Sequence, residues 1–255
     1  MHQAIVRQPA PSFLDGLTTA DLGAPDYARA LEQHQAYCQT LERCGLVLTN
    51  LEPDNAYPDS TFIEDTAVIV GESVVLTRPG AVSRAGEVAS VAETIKQFFS
   101  RFESIHDPGC LDGGDVCEAG NQYFIGISER TNEAGAGQLG RFLTALGKTH
   151  SLIDIRGIDG LLHLKSGLAS LGDNRLVVID ALARFKEFSD YQLVHVADGE
   201  EYAANCVRVN DKVLIAGGYS RFAQTLASLN YQTIALDMSE FQKMDGGLSC
   251  LSLRF

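Results

Sequence analysis

Three side chains suited to nucleophilic chemistry sit beside short turns in this sequence. Asp112 lies in Leu111-Asp112-Gly113-Gly114-Asp115-Val116, His163 in Leu162-His163-Leu164-Lys165, and Cys250 closes Asp245-Gly246-Gly247-Leu248-Ser249-Cys250. Each has a plainer structural reading: a hairpin turn, a core imidazole, a buried thiol acting as a small hydrophobe. Taken together they form the acid, imidazole and thiol of cysteine-based catalysis, in which the imidazole moves protons near pH 7 and the thiol attacks. The two glycines after Asp112 permit close backbone approach. A fourth segment, Asp59-Ser60-Thr61-Phe62-Ile63-Glu64-Asp65, places three acids at the mouth of a predicted strand. It reads either as a solvated acidic turn or as a cradle for a cation. If Phe62 faces inward, strand alternation puts Glu64 on its side and Asp65 opposite.

The elements that must hold these residues repeat. A short apolar strand, a helical stretch and a second strand recur five times. The strands fall at residues 4–6 and 46–51, 74–77 and 102–105, 123–127 and 150–155, 176–179 and 191–196, and 213–216 and 231–236. The helices between them fall at 25–44, 86–99, 132–146, 182–188 and 219–229. Pro25 suits a first helical turn, and Gly45 and Gly147 are natural terminators. Leu31, His34, Tyr37, Cys38, Leu41 and Cys44 share one helical face, as do Val88, Val91, Ala92, Ile95 and Phe98. A last strand is expected at 251–253. Spacing alone leaves two α/β architectures open: a closed array of repeats, or an ordinary doubly wound sheet.

Composition narrows the class. The chain has 255 residues, with 45% hydrophobic and 21% charged, which is globular rather than disordered. No linker divides it, so residues 1–255 are read as one domain. Its net charge of −13 repels a phosphate backbone and attracts a small cation, which argues against nucleic acid as a partner. No apolar run reaches the roughly 18 residues of a membrane helix, and the first residues lack an apolar targeting core. The expectation is a cytoplasmic protein with no membrane partner. Its six cysteines, without a C-x-x-C pair, are expected to be reduced and without zinc.

The ordered set of motifs resembles the guanidine-modifying enzymes of the pentein superfamily, and within it the dimethylarginine dimethylaminohydrolases. The resemblance spans the chain. It rests on Asp15-Gly16-Leu17-Thr18, the acidic heptad, Thr77-Arg78-Pro79-Gly80-Ala81-Val82-Ser83-Arg84, the Asp112 turn, Arg130-Thr131-Asn132, His163-Leu164-Lys165, Ala204-Asn205-Cys206 and the Cys250 segment. It implies a five-bladed, pseudo-symmetric α/β propeller with its site at the centre, and favours the array reading.

The resemblance also implies roles: Cys250 as nucleophile, His163 as acid and base, and Asp112 orienting the imidazole. Leu17, Asp59, Glu64, Asp65, Arg84, Arg130 and Met244 match substrate-contact positions, with Glu64 and Asp65 on the cation and both arginines on an α-carboxylate. The last of these positions is usually a branched aliphatic, so Met244 reshapes the wall. The implied reaction converts Nω-methylated arginine to citrulline and dimethylamine or methylamine through a covalent thiouronium, without metal or organic cofactor. The substrate is a small cationic amino acid, and a homodimer is the family-level expectation. Arginine deiminases carry an Asp where Lys165 stands, two residues after the histidine. A dimethylated nitrogen has no N–H to give such a carboxylate, so Lys165 favours methylated substrates. The alternatives are a hydrolase of arginine or citrulline, or a non-catalytic propeller module, which need not keep acid, imidazole and thiol together. Leu17 reads either as part of a mobile lid or as part of a fixed surface loop.

Overall fold

In a computed structural model that describes residues 1–255, the strands form five three-stranded sheets. Strand β1 (Gln3–Arg7) leads through helix α1 (Tyr27–Arg43) to β2 (Val47–Leu51), which runs parallel to β1. Asp26 caps α1 by accepting the Arg29 N–H, a contact worth about 1 kcal/mol, so Pro25 lies just outside the helix. The second sheet contains β3 (Ala67–Val70), β4 (Ser73–Leu76), α2 (Glu87–Ile95) and β5 (Arg101–Ser104). The third contains β6 (Val116–Ala119), β7 (Gln122–Ile127), α3 (Glu133–Ala145) and β8 (Thr149–Asp154). In the fourth, a short helix α4 (Leu164–Gly167) leads into β9 (Leu168–Gly172), β10 (Arg175–Val178), α5 (Asp180–Ala183) and β11 (Gln192–His195). The fifth contains β12 (Val207–Val209), β13 (Lys212–Ala216), α6 (Ser220–Ser228) and β14 (Gln232–Leu236). After α7 (Ser239–Gln242), β15 (Ser252–Arg254) pairs antiparallel with β1, Ala4 opposite Arg254, and closes the ring.

Every sheet has one plan. The middle strand pairs antiparallel with an inner strand and parallel with an outer strand reached through the helix. Parallel pairing needs such a crossover, which is why the strand–helix–strand repeat is legible in the sequence. The middle strands β1, β7 and β13 are buried almost throughout, and the outer β2 and β5 alternate or face solvent. Apolar clusters fill the space between neighbouring blades, as where Phe124, Leu176 and Val213 share one cluster. The architecture is thus the five-bladed α/β propeller, and the doubly wound alternative falls away.

Several boundaries differ from the sequence reading. Helix α2 ends at Ile95, and Phe98 is exposed rather than on the buried face. The helix expected over 182–188 is two short pieces, α5 and a 3-10 turn at Lys186–Phe188. The sequence reading does not include the inner strands β9 and β12: β12 has three residues, and β9, although five residues long, lacks strong alternation. Gly45 and Gly147 do terminate their helices, at φ +92° and +72°. No helix is long and apolar enough to cross a membrane.

Candidate active site

Each blade delivers a chemically useful side chain just before its inner strand begins. Asp65 precedes β3, Asp112 precedes β6, His163 precedes α4 and β9, Asn205 precedes β12, and Cys250 precedes β15. The pseudo-symmetry of the ring brings residues from distant parts of the chain to one end of its axis. There a narrow cleft of about 20 Å³ is lined by Leu17, Asp59, Asp65, Arg84, Arg130, His163, Met244 and Cys250, together with Phe62 and three neighbours of these residues. A space of that size holds about one water.

The acidic heptad does not alternate as a strand. Ile63–Thr66 is a 3-10 turn, in which residues three apart share a face. Phe62 and Asp65 therefore line the cleft together, and Glu64 points away from it. One Glu64 carboxylate oxygen meets Lys165 Nζ at 2.6 Å, and the other accepts the Ser249 hydroxyl at 2.7 Å. Glu64 and Lys165 line a separate cavity of about 570 Å³, which runs between the inner strands along residues 67–69, 116–118, 168–170, 206–208 and 252–254. Glu64 is thus not on the surface of the cleft, and the Lys165 ammonium is paired with Glu64.

Asp65 is held from three sides. Arg84 Nη1 lies 2.6 Å from Oδ2, the Gly114 N–H donates to Oδ1 at 2.8 Å, and His163 Nε2 stands 4.0 Å away. Burial works against its charge, but His163 and Arg84 hold the carboxyl below its ordinary range. A Cβ at Gly114 would lie 2.9 Å from the His163 ring, and one at Gly113 would lie 2.1 Å from the Glu64 carbonyl oxygen. The paired glycines therefore exist for close approach, as the sequence suggests.

His163 Nε2 is 3.0 Å from Asp112 Oδ2, and Asp112 Oδ1 accepts the Gly80 N–H at 2.8 Å. Asp112 is fully buried behind the ring. Burial opposes charging the imidazole, yet Asp65, Asp115 and Asp112 overcome it and push His163 up to about 9. It is an imidazolium at neutral pH. Cys250 behaves in the opposite way: burial, then the fields of Glu64 and Asp65, push its thiol up to about 12. The resting pair is a neutral thiol and a cationic imidazole.

Arg84 is buried, and its guanidinium is already engaged. Nε and Nη2 meet both oxygens of Glu87 at 3.1 and 2.9 Å, Nη2 donates to the Phe62 carbonyl at 3.0 Å, and Nη1 reaches Asp65. Most of its N–H groups are thus committed, while its side chain still lines the cleft. Arg130, in contrast, reaches the cleft with a guanidinium that has no hydrogen bond or ion pair. Asp59 accepts the Leu17 N–H at 3.0 Å, which turns the half-exposed Leu17 over the cleft. Met244 is buried in the wall beneath it.

Asp65, Asp112 and His163 also offer three ligand atoms within 4.8 Å of one another. Their lone pairs are taken by Arg84, by backbone N–H groups and by each other, so the set is complete without a cation. Asn205 was quoted among the sequence motifs without a role. Its amide lies 3.9 Å from Cys250 Sγ, and its oxygen accepts the Ser249 N–H at 2.9 Å. Glu87, which fixes Arg84, carried no sequence signal beyond standing three residues on.

Comparison with known proteins places this geometry. No family model matches the chain. The N(G),N(G)-dimethylarginine dimethylaminohydrolase of Pseudomonas aeruginosa is 42% identical over 252 residues, covering 98% of each chain. That of Streptomyces coelicolor is 33% identical over 258 residues, covering 99% of this chain and 96% of its own. A crystallised cysteine-to-serine mutant of the Pseudomonas enzyme, complexed with citrulline, superposes with a TM-score of 0.96 over 100% of this chain and 99% of its own, at 42% identity. The N-terminal domain of a cyanobacterial arginine dihydrolase shares the fold, with a TM-score of 0.86 at 20% identity, covering 99% of this chain and 96% of its own. With coverage nearly complete in both directions and the ring superposing blade for blade, the chain belongs to the dimethylarginine dimethylaminohydrolase family.

Proposed function

We propose that this chain is an amidine hydrolase that converts Nω-methylated arginine to citrulline and an alkylamine, with all 255 residues acting as one catalytic domain. The observation that carries this reading is the meeting of Cys250, His163, Asp65 and Arg130, whose guanidinium has no partner, around one cleft. A guanidinium is a poor electrophile, and a neutral thiol does not attack it. A bound guanidinium about 4 Å from the sulfur is worth up to roughly 4 kcal/mol at an effective dielectric of 20, about three pKa units. The substrate thus supplies much of the charge needed to ionise Cys250.

As substrate binds, Cys250 gives its proton to solvent water, and the thiolate adds to the guanidinium carbon while Asp65 holds the guanidinium N–H groups. His163 gives its proton to departing dimethylamine or methylamine, and an S-alkylthiouronium remains on Cys250. The neutral imidazole then takes a proton from water, which adds to the same carbon. Collapse expels the thiolate, and the hydroxyl proton lost as the citrulline carbonyl forms goes to solvent, matching the one Cys250 gave up on binding. Asp112 holds the ring and stabilises its charged form. Arg130 takes the α-carboxylate, for which its planar fork is suited. Arg84, bridging Glu87 and Asp65, sets Asp65 in place. Entry into a cleft this narrow requires the Leu17 segment to swing off Asp59 and off the bonds that Thr18 and Thr19 make to Lys243 and Asp245.

The test is product identification with dimethylarginine, monomethylarginine, arginine and citrulline. Citrulline and dimethylamine in equal amounts from dimethylarginine are expected. Ammonia from arginine or citrulline, with no product from methylated substrates, would select the deiminase-like or citrulline-hydrolase alternative. Position 165 cannot decide this in advance, because its side chain is turned away from the cleft. Soluble protein in the cytoplasm, working as a homodimer and without metal, nucleic-acid or membrane partners, completes the proposed setting.

A further inference from the structure

We infer that Asp115 and Ser128, neither of which touches the cleft, form one buried positioning unit that sets the catalytic imidazole and the carboxylate-binding arginine together. Asp115 is fully buried in the turn before β6. Its Oδ1 accepts the N–H of Leu164 at 2.9 Å, the residue that follows His163 and opens α4. Its Oδ2 accepts the Ser128 hydroxyl at 2.6 Å. Having donated its only proton there, the Ser128 oxygen accepts the N–H groups of Arg130 at 3.0 Å and Thr131 at 3.1 Å. Thr131 in turn accepts the Asp112 N–H through its hydroxyl at 3.1 Å. One carboxylate therefore fixes the backbone on the far side of His163 and, through one hydroxyl, the backbone that carries Arg130.

The surrounding chain is built to admit this arrangement. A Cβ at Gly126 would lie 2.8 Å from Asp115 Oδ1 and 3.0 Å from the Leu164 side chain, so β7 passes too close for any larger residue. A Cβ at Gly80 would lie 2.2 Å from the Arg130 carbonyl oxygen, so the backbone that binds Asp112 also abuts Arg130. Both Asp115 oxygens face donors only. An amide in their place would set N–H against N–H and free one of the two turns.

This inference rests on the proposed roles of His163 and Arg130, and the experiment separates the two. Steady-state kinetics are measured with dimethylarginine and with the corresponding guanidine that lacks the α-carboxylate. Ser128→Ala, which deletes all three bonds of that hydroxyl, should raise KM for dimethylarginine at least about tenfold, with kcat changed by much less. It should leave the decarboxylated substrate unchanged, and Ser128→Thr, which keeps the hydroxyl, should restore KM. Asp115→Asn should lower kcat for both substrates at least about tenfold. It should also move the high-pH limb of kcat downward, because His163 loses a supporting charge. Arg130→Ala is the control. If it raises KM for dimethylarginine and Ser128→Ala does not, the positioning unit is wrong. If Arg130→Ala leaves KM unchanged, the carboxylate reading and the Arg130 arm fail together, and kcat of Asp115→Asn decides the His163 arm.

Discussion

Two adjacent acids in one turn, Glu64 and Asp65, serve two different spaces. Asp65 faces a cleft with room for little more than a water, beside a thiol and an imidazolium. Glu64 faces the much larger axial cavity, where Lys165, Ser249 and, at 3.6 Å, Arg254 surround it. The larger space has neither the Cys250 sulfur nor the His163 imidazole on its surface. Volume therefore marks the axis of the ring, and the chemistry sits where the inner strands begin. The wall between the two spaces is one turn thick, and the Glu64 field crosses it to reach the Cys250 sulfur.

The sharpest contrast comes from removing the sulfur. Cys250→Ser should lose turnover by more than about a thousandfold while circular dichroism and melting stay unchanged. Activity within tenfold of the parent would end the assignment. Next in size is Asp65→Asn, which should lower kcat/KM on the order of a hundredfold, since a charge-assisted contact to the substrate cation is lost. The same variant removes the first support of the His163 charge, so the high-pH limb of the rate profile should move down from about 9.

Glu64→Gln tests the other side of the wall. It strands Lys165 and should cost on the order of 3 kcal/mol of stability, read from denaturant unfolding, yet change KM by less than about threefold. Adding Lys165→Met should recover most of that loss. A large rise in KM for Glu64→Gln would mean that the two spaces communicate more directly than their linings indicate. The smallest effect is on the thiol itself: without the Glu64 charge, Cys250 should alkylate at lower pH, and a cationic ligand should shift the parent in the same direction. An unchanged pH dependence with ligand would reject substrate-assisted ionisation.

Stability should also follow His163. Its pKa is raised in the fold, so the stabilisation from its charge is fully present below about 6.5 and is lost as pH rises through about 9. Unfolding measured across that window should show this slope, and His163→Gln should flatten it.

Much of this molecule was legible before its fold. Middle and outer strands announce themselves through apolar runs joined by amphipathic helices, and Gly45 and Gly147 mark helix ends. The inner strands were harder, because β12 has three residues and β9, although five residues long, has no clear apolar alternation. The site residues could be named from their motifs, but their directions could not. Two-residue alternation does not apply to the Glu64 segment, because it is a 3-10 turn. The buried partner of Arg84, Glu87, which burial pushes up to about 7, has no sequence signature. The direction of Lys165, two residues after His163, is set by α4, which is only four residues long.

Ring closure has a further consequence. The segment carrying Cys250 runs straight into β15, whose pairing with β1 joins the first blade to itself. A molecule whose final blade has not zipped shut has its sulfur detached from imidazole and carboxylate alike. On the proposed roles, a partly assembled chain should be chemically silent toward free guanidines until that last seam is sewn.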